Sequence, residues 1–218
     1  MVHYDPREFT PLKGGLQVAV QRVFVAPYLI LANRLEITGR EKVPRTGPLI
    51  VAANHLSMLD PPLLAVVCNR PVAYMAKQEL FEGRFLSRIL QFLGGFSVNR
   101  AHPDIATFKA ARDVLRKGWA LVMFIEGTRN KVPGQLLRPA LGPAYVARMN
   151  QVPILPVGIV GTNKRFGKAY AHVGDPIMPS DDLEATTWAV MEALSHLTGF
   201  ALPPDRQLAD PSQWETTG

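Results

Sequence analysis

Residues 54–60 read NHLSMLD, which sets a histidine and an aspartate five positions apart. The segment follows the apolar run LIVAA (49–53) and precedes Pro61 and Pro62. Two readings compete. In the first, Asp60 caps a helix that opens at Pro61, a common helix start, and Asn54 and His55 are turn formers. In the second, Pro61 disfavours helical conformation at Asp60, so His55 and Asp60 share no helix and meet across a tight turn. A carboxylate that accepts the imidazole Nδ1–H fixes the tautomer and leaves Nε2 as a base. That is the rear half of a serine-hydrolase triad. The front half is missing: no G-x-S-x-G occurs, and Ser97 lies in GFSVN. The nucleophile would then be a substrate hydroxyl, as in direct acyl transfer to an alcohol.

Two further clusters offer an anion site. Arg100 ends GGFSVNR, and Glu126-Gly127-Thr128-Arg129 follows WALVMFI. Guanidinium matches phosphate bidentately. Gly127 permits close backbone approach, and Thr128 adds a hydroxyl donor. Glu126 repels an anion, so its expected role is to orient Arg129 or a backbone amide. The plain alternative for EGTR is a turn with surface charges.

These residues need a frame. The runs PLIVAA (48–53), PVAYMAK (71–77), GGFSVNR (94–100), WALVMFI (119–125) and PILPVGIV (153–160) read as strands. Helical stretches open near Pro61, cover 83–92, run from an Asp104 cap to Gly118, cover 142–149, and run from an Asp181/Glu184 cap to Gly199. Continuous apolar strands alternating with helices predict one α/β domain, with a mixed, largely parallel sheet covered on both faces. In such sheets ligands gather beyond the carboxyl ends of the strands. His55, Arg100 and the Glu126–Arg129 cluster each follow a strand end, so parallel strands would bring them to one rim. The expected organisation is a helical segment over 1–34, a catalytic domain over 35–201, and a polar, loosely held tail over 202–218.

The chain has 218 residues and a net charge of +6. From Glu126 to Asp175 no acidic residue intervenes, while seven basic ones do; from Asp175 onward eight acidic residues face only Arg206. A cationic centre suits phosphate-bearing partners. Its basic residues lie among apolar strands rather than on one stripe, so no nucleic-acid partner is expected. Cys68, the single cysteine, lies in LLAVVC and excludes an internal disulfide; a buried, inert thiol is expected, and no metal site. His3, Asp5 and Glu8 precede any apolar stretch, unlike a secretory signal. Residues 16–33 are apolar but interrupted by Gln17, Gln21, Arg22 and Pro27. Pro27 is expected to divide them into two short helical pieces, which either lie on a bilayer surface or pack on the domain.

NHLSMLD resembles the N-H-x4-D block of the 1-acylglycerol-3-phosphate acyltransferase family. GGFSVNR resembles that family's second block, FIEGTRN its third, and VPILPV (152–157) its fourth, with an internal Pro156. The blocks stand in order over roughly residues 35–175. The resemblance implies transfer of a fatty acyl group from acyl-CoA or acyl carrier protein to a glycerophospholipid hydroxyl, with no cofactor beyond that co-substrate. His55 is then the general base and Asp60 its orienting partner. Arg100 and the Glu126–Arg129 cluster hold the acceptor's phosphate. The N-terminal segment docks peripherally or monotopically on the cytoplasmic face of a membrane, where the lipid acceptor resides. The chain departs from the pattern at Ile125, where the family commonly has proline, and at Asn99, where it often has an acidic residue. For the lysine usual between the third and fourth blocks, Arg138 is the nearest basic candidate. These departures bear on the acceptor, so lyso-ornithine lipid or another lysophospholipid is the alternative.

Overall fold

The structure, a computed structural model, describes residues 4–77, 81–98, 105–164 and 167–210. Its helices are α1 (Pro11–Val20), α2 (Ala26–Asn33), α3 (Asp60–Cys68), α4 (Arg84–Phe92), α5 (Ile105–Arg116), α6 (Gly142–Asn150) and α7 (Leu183–Thr198). Its strands are β1 (Glu36–Thr38), β2 (Leu49–Ala53), β3 (Val72–Lys77), β4 (Gly95–Val98), β5 (Ala120–Phe124), β6 (Ile154–Val160) and β7 (Tyr170–Val173). All seven strands join one sheet in the order β1-β7-β6-β2-β5-β3-β4. From β6 to β4 every pairing is parallel; β7 is antiparallel to β6 and carries β1 parallel to itself.

Both faces of the sheet are covered, which is why its central strands are continuously apolar rather than alternating. Along β2, Leu49, Val51 and Ala53 pack with Leu63, Leu64 and Val67 of α3. Ile50 and Ala52 face the opposite core, built with Val114, Ala147 and Met191 from α5, α6 and α7. The two short strands at one end of the sheet, β1 and β7, escape sequence reading. They hold three and four residues and keep one side partly exposed, too short for a periodic signal. At α7 the cap is Asp182, whose carboxylate accepts from the Ala185 N–H, rather than Asp181; the helix stops at Gly199, φ 71°, as expected. Asp104 lies outside the described residues.

The break expected at Pro27 does not occur. α1, a π turn over Gln21–Val25 and α2 form one helix, Pro11–Asn33, of 23 residues. A proline inside a helix lacks an N–H and clashes with the carbonyl four residues back. Here the Ala26 N–H bonds the Gln21 carbonyl, five residues back. That extra residue in the turn widens the helix just ahead of Pro27, and the chain continues without a break.

This helix is turned inside out. Gly14, Gln17, Gln21, Leu29 and Asn33 are buried against the domain, while Leu12, Leu16, Val23, Phe24, Tyr28 and Leu31 are exposed. The Gln17 amide acts as a strand edge: its Nε2 donates to the Val72 and Leu93 carbonyls and its Oε1 accepts from the Val72 N–H. Gly14 makes the approach possible, since a Cβ there would lie 2.7 Å from the Pro71 ring. By length and composition the helix is long and apolar enough to cross a membrane. Its buried positions run from one end to the other, so it lies lengthwise on the domain.

The expected loose tail is held on the domain as far as Ala209. Ala201 pairs with Gly134 and Leu136, the Ala209 N–H donates to the Pro139 carbonyl, and Arg206 sits over the Trp188 ring. Each contact replaces water at a backbone or ring that the polar sequence left unremarked.

Candidate active site

Because β2, β5 and β6 are parallel, their carboxyl ends open on one rim. His55 and Asp60 follow β2, Glu126 to Arg129 follow β5, and Thr162 follows β6. Asn54 is no simple turn former. Its buried side-chain amide exchanges two 2.8 Å hydrogen bonds with the backbone of Ile159, continuing the β2–β6 ladder one residue further. His55 therefore leaves the sheet at a fixed point.

The turn from His55 to Asp60 is folded around the Asp60 carboxylate. Oδ2 accepts from His55 Nδ1 at 2.8 Å, the Leu56 N–H at 2.6 Å and the Ser57 N–H at 2.7 Å. Oδ1 accepts from the Thr162 hydroxyl at 2.6 Å. Asp60 is thus the first residue of α3 but not its cap. Leu59 holds the cap position without a side-chain bond, and the Asp60 carboxylate reaches back to the turn. Every partner around that carboxylate donates, so Nδ1 carries the imidazole proton and Nε2 presents its lone pair. The carboxylate is fully buried, whereas the imidazole keeps a tenth of its surface exposed. Phe124 stacks on the imidazole, centroids 3.8 Å apart and planes 13° from parallel.

Glu126 supports the histidine from behind. Its carboxylate is buried and accepts from the His55 N–H at 2.9 Å, the Asn130 side-chain amide at 2.8 Å and the Leu137 N–H at 2.7 Å. Of the two roles expected for Glu126, the one seen is orientation of backbone amides. Burial pushes its carboxyl up to about 7, against the opposing pull of those donors. Asn130 closes the arrangement: its N–H donates to the His55 carbonyl at 2.6 Å. Gly127, at φ 68°, turns the chain in a conformation that favours glycine. That turn leaves Arg129 exposed, without a carboxylate partner among the described residues.

Arg100 lies outside the described residues; β4, the strand before it, runs parallel to β3 and ends toward the same rim. Asn99 lies outside them too. Arg138 is paired with Asp205, its Nε donating to Oδ1 at 3.0 Å, and so clasps the tail to the loop after β5. Cys68 is buried, and burial pushes its thiol up to about 12, which keeps it a poor nucleophile. Sequence reading missed Thr162, Asn130 and Phe124. Thr162 was within reach of the rule used for His55, since it too closely follows an apolar strand.

A family model described as Acyltransferase matches residues 34–160, more than half of the chain. The chain belongs to this acyltransferase family. A 1-acyl-sn-glycerol-3-phosphate acyltransferase of Bacillus subtilis is 26% identical over 159 residues, which cover 70% of this chain and 78% of that protein. The protein of that name from Borreliella burgdorferi is 30% identical over 157 residues, covering 70% of this chain but only 62% of the relative. The crystal structure of the 1-acyl-sn-glycerophosphate (LPA) acyltransferase PlsC from Thermotoga maritima superposes with a TM-score of 0.68 at 25% identity. That match covers 84% of this chain and 77% of the other. In this acyltransferase, the matched segment holds the buried His55–Asp60 pair and the whole Glu126–Arg129 loop.

Proposed function

We propose that this acyltransferase moves a fatty acyl group from the thioester of acyl-CoA or acyl carrier protein to the free hydroxyl of 1-acylglycerol-3-phosphate, giving phosphatidate. The observation that carries this reading is the donor-filled shell of Asp60, which leaves His55 Nε2 as the acceptor facing the rim. Nε2 takes the proton of the acceptor hydroxyl as its oxygen adds to the thioester carbonyl. Collapse of the tetrahedral intermediate breaks the carbon–sulfur bond, and the imidazolium returns its proton to the departing thiolate. Asp60 holds the ring and stabilises its charged form. Arg129, Thr128 and Gly127, with Arg100, hold the acceptor's phosphate; Glu126 serves that site by fixing the loop that carries them.

The acceptor is a bilayer lipid, and the inside-out helix Pro11–Asn33 meets its surface. The exposed apolar side chains enter the headgroup boundary while the buried Gln17 amide keeps the helix on the domain. On this reading the protein is monotopic, on the cytoplasmic face.

Thiol release from acyl-CoA and from acyl carrier protein, measured over a panel of lysolipids, tests the assignment. The expected result is release with 1-acylglycerol-3-phosphate, and an acceptor KM that rises in Arg129→Ala more than the donor KM does. Release with a lyso-ornithine lipid or lysophosphatidylcholine, and none with 1-acylglycerol-3-phosphate, would overturn the acceptor.

A further inference from the structure

At the far end of α3 from Asp60, about 12 Å along the helix axis, a cavity opens between α3, β1 and the N-terminal helix. Its volume is about 370 Å³. Three of its features point to one kind of ligand. Arg22 and Arg40 both line it, and neither has a carboxylate partner among the described residues. Each is held at the end of α3 by one bond: Arg22 Nε donates to Asn69 Oδ1 at 2.8 Å, and Arg40 Nη2 donates to the Val66 carbonyl at 2.6 Å. A guanidinium has five N–H donors in a rigid fork, so both keep donors for an anion.

Gln21 also lines the cavity. It is buried to 3% exposure, and its Oε1 has no hydrogen-bond partner. A buried acceptor left open is costly; Oε1 itself has almost no accessible surface, so a ligand donor relieves it once the Gln21 amide turns into the cavity. The remaining wall is apolar, with Ile30, Leu35 and Ile37, and Ile30 belongs to the exposed apolar side chains of the N-terminal helix. A phosphate for two guanidiniums, a hydroxyl for an open acceptor and an apolar wall beside a lipid-facing helix describe one molecule. We propose that this cavity binds a resident anionic phosphoglyceride of the bilayer whose head group carries a hydroxyl. Its phosphate lies between Arg22 and Arg40, its head-group hydroxyl donates to Gln21 Oε1, and its glycerol and first methylenes lie along Ile30 and Ile37. The lipid is a ligand and not the acceptor, since His55 lies at the other end of α3.

The inference rests on the bilayer reading of the helix but not on the chemistry at His55. Flotation of the full chain with vesicles tests it. Phosphatidylcholine vesicles are compared with vesicles containing equal fractions of phosphatidylglycerol or phosphatidylmethanol, two lipids of equal charge of which only the first has a head-group hydroxyl. The expected order of binding is phosphatidylglycerol, then phosphatidylmethanol, then phosphatidylcholine alone. Arg22→Gln with Arg40→Gln should weaken binding to both anionic vesicles about tenfold or more. Gln21→Leu should abolish the preference between the two anionic lipids and keep their advantage over phosphatidylcholine. The lysine pair, Arg22→Lys with Arg40→Lys, guards against a folding artefact and should retain part of the binding. Soluble glycerophosphoglycerol should not compete, because the apolar wall needs the lipid.

Equal flotation with all three vesicles, or glutamine variants that bind like the parent, overturns the site alone. Failure to float with any vesicle overturns the bilayer reading and the site together. Effective competition by the soluble head group overturns the lipid as the ligand in favour of a free phosphodiester.

Discussion

The rim and the N-terminal helix both bury polar side chains, and they do so to opposite ends. At the rim, Asn54, Asp60, Glu126 and Asn130 are buried with every side-chain polar atom satisfied. Those bonds lock a histidine whose outer nitrogen faces outward. In the helix, Gln17 is satisfied as fully but serves only as an anchor, and Gln21 keeps an open acceptor. The apolar residues of the rim strands point inward; most of those of the helix, Leu29 apart, point out. A buried polar group is costly unless paired, so each region turns its polar atoms to where partners are available. On the proposed reading the rim takes substrate, while the helix offers its apolar side to lipid.

The comparison breaks first at His55. His55→Ala should lower kcat by about 10²–10⁴ while the melting temperature stays near the parent's; full turnover by the purified variant would remove the base. Asp60→Asn comes next. Its amide would set N–H groups against the Leu56 and Ser57 N–H donors, so we expect roughly a hundredfold loss of kcat and about 1–3 kcal/mol of stability. Near-normal kinetics would return Asp60 to a structural role.

Glu126→Gln should cost about 1–3 kcal/mol for the same reason, with a smaller kcat loss through the displaced His55 backbone. It also changes a pH dependence. Burial raises the Glu126 carboxyl from 4.5 to about 7, so the folded chain holds that proton more tightly than the unfolded one. The resulting stability is fully present below about 4.5 and is lost as pH rises through about 7. Urea unfolding across that window should show the decline in the parent and not in Glu126→Gln. Gln17→Leu should have the smallest effect. It strips partners from Val72 and Leu93, costing about 1–2 kcal/mol, with turnover of detergent-dispersed acceptor close to the parent's. A kcat loss as large as that of Asp60→Asn would erase the distinction between the two regions.

How far the sequence could be read followed the length scale of each signal. The continuous strands and the parallel rim were legible because burial on both faces writes uninterrupted apolar runs such as LIVAA and ILPVGIV. The His55–Asp60 contact was legible as one of two options, because five positions and a proline limit the geometry of the turn. Choosing between them needed the carboxylate's actual partners, and Thr162 comes from 102 residues away. The helix break at Pro27 was misread because proline's effect is local while its remedy, a π turn over Gln21–Val25, lies in the preceding residues. The outward face of that helix was hidden for a related reason. Gln17 is polar in sequence, but its position opposite the Val72 backbone makes it an interior residue.

The clasp between the loop after β5 and the end of the chain orders events in time. Ala201 bonds Gly134 and Leu136, and Ala209 bonds Pro139, so the loop that carries Gly127, Thr128 and Arg129 acquires these supports only after residues 201–209 have been made. The helix Pro11–Asn33 is made well before them. At about 5–20 residues per second, roughly ten to thirty seconds of synthesis separate the lipid-facing helix from Ala201. On the proposed bilayer reading, a nascent chain reaches the membrane surface long before its rim is closed, and the rim is completed beside the proposed acceptor.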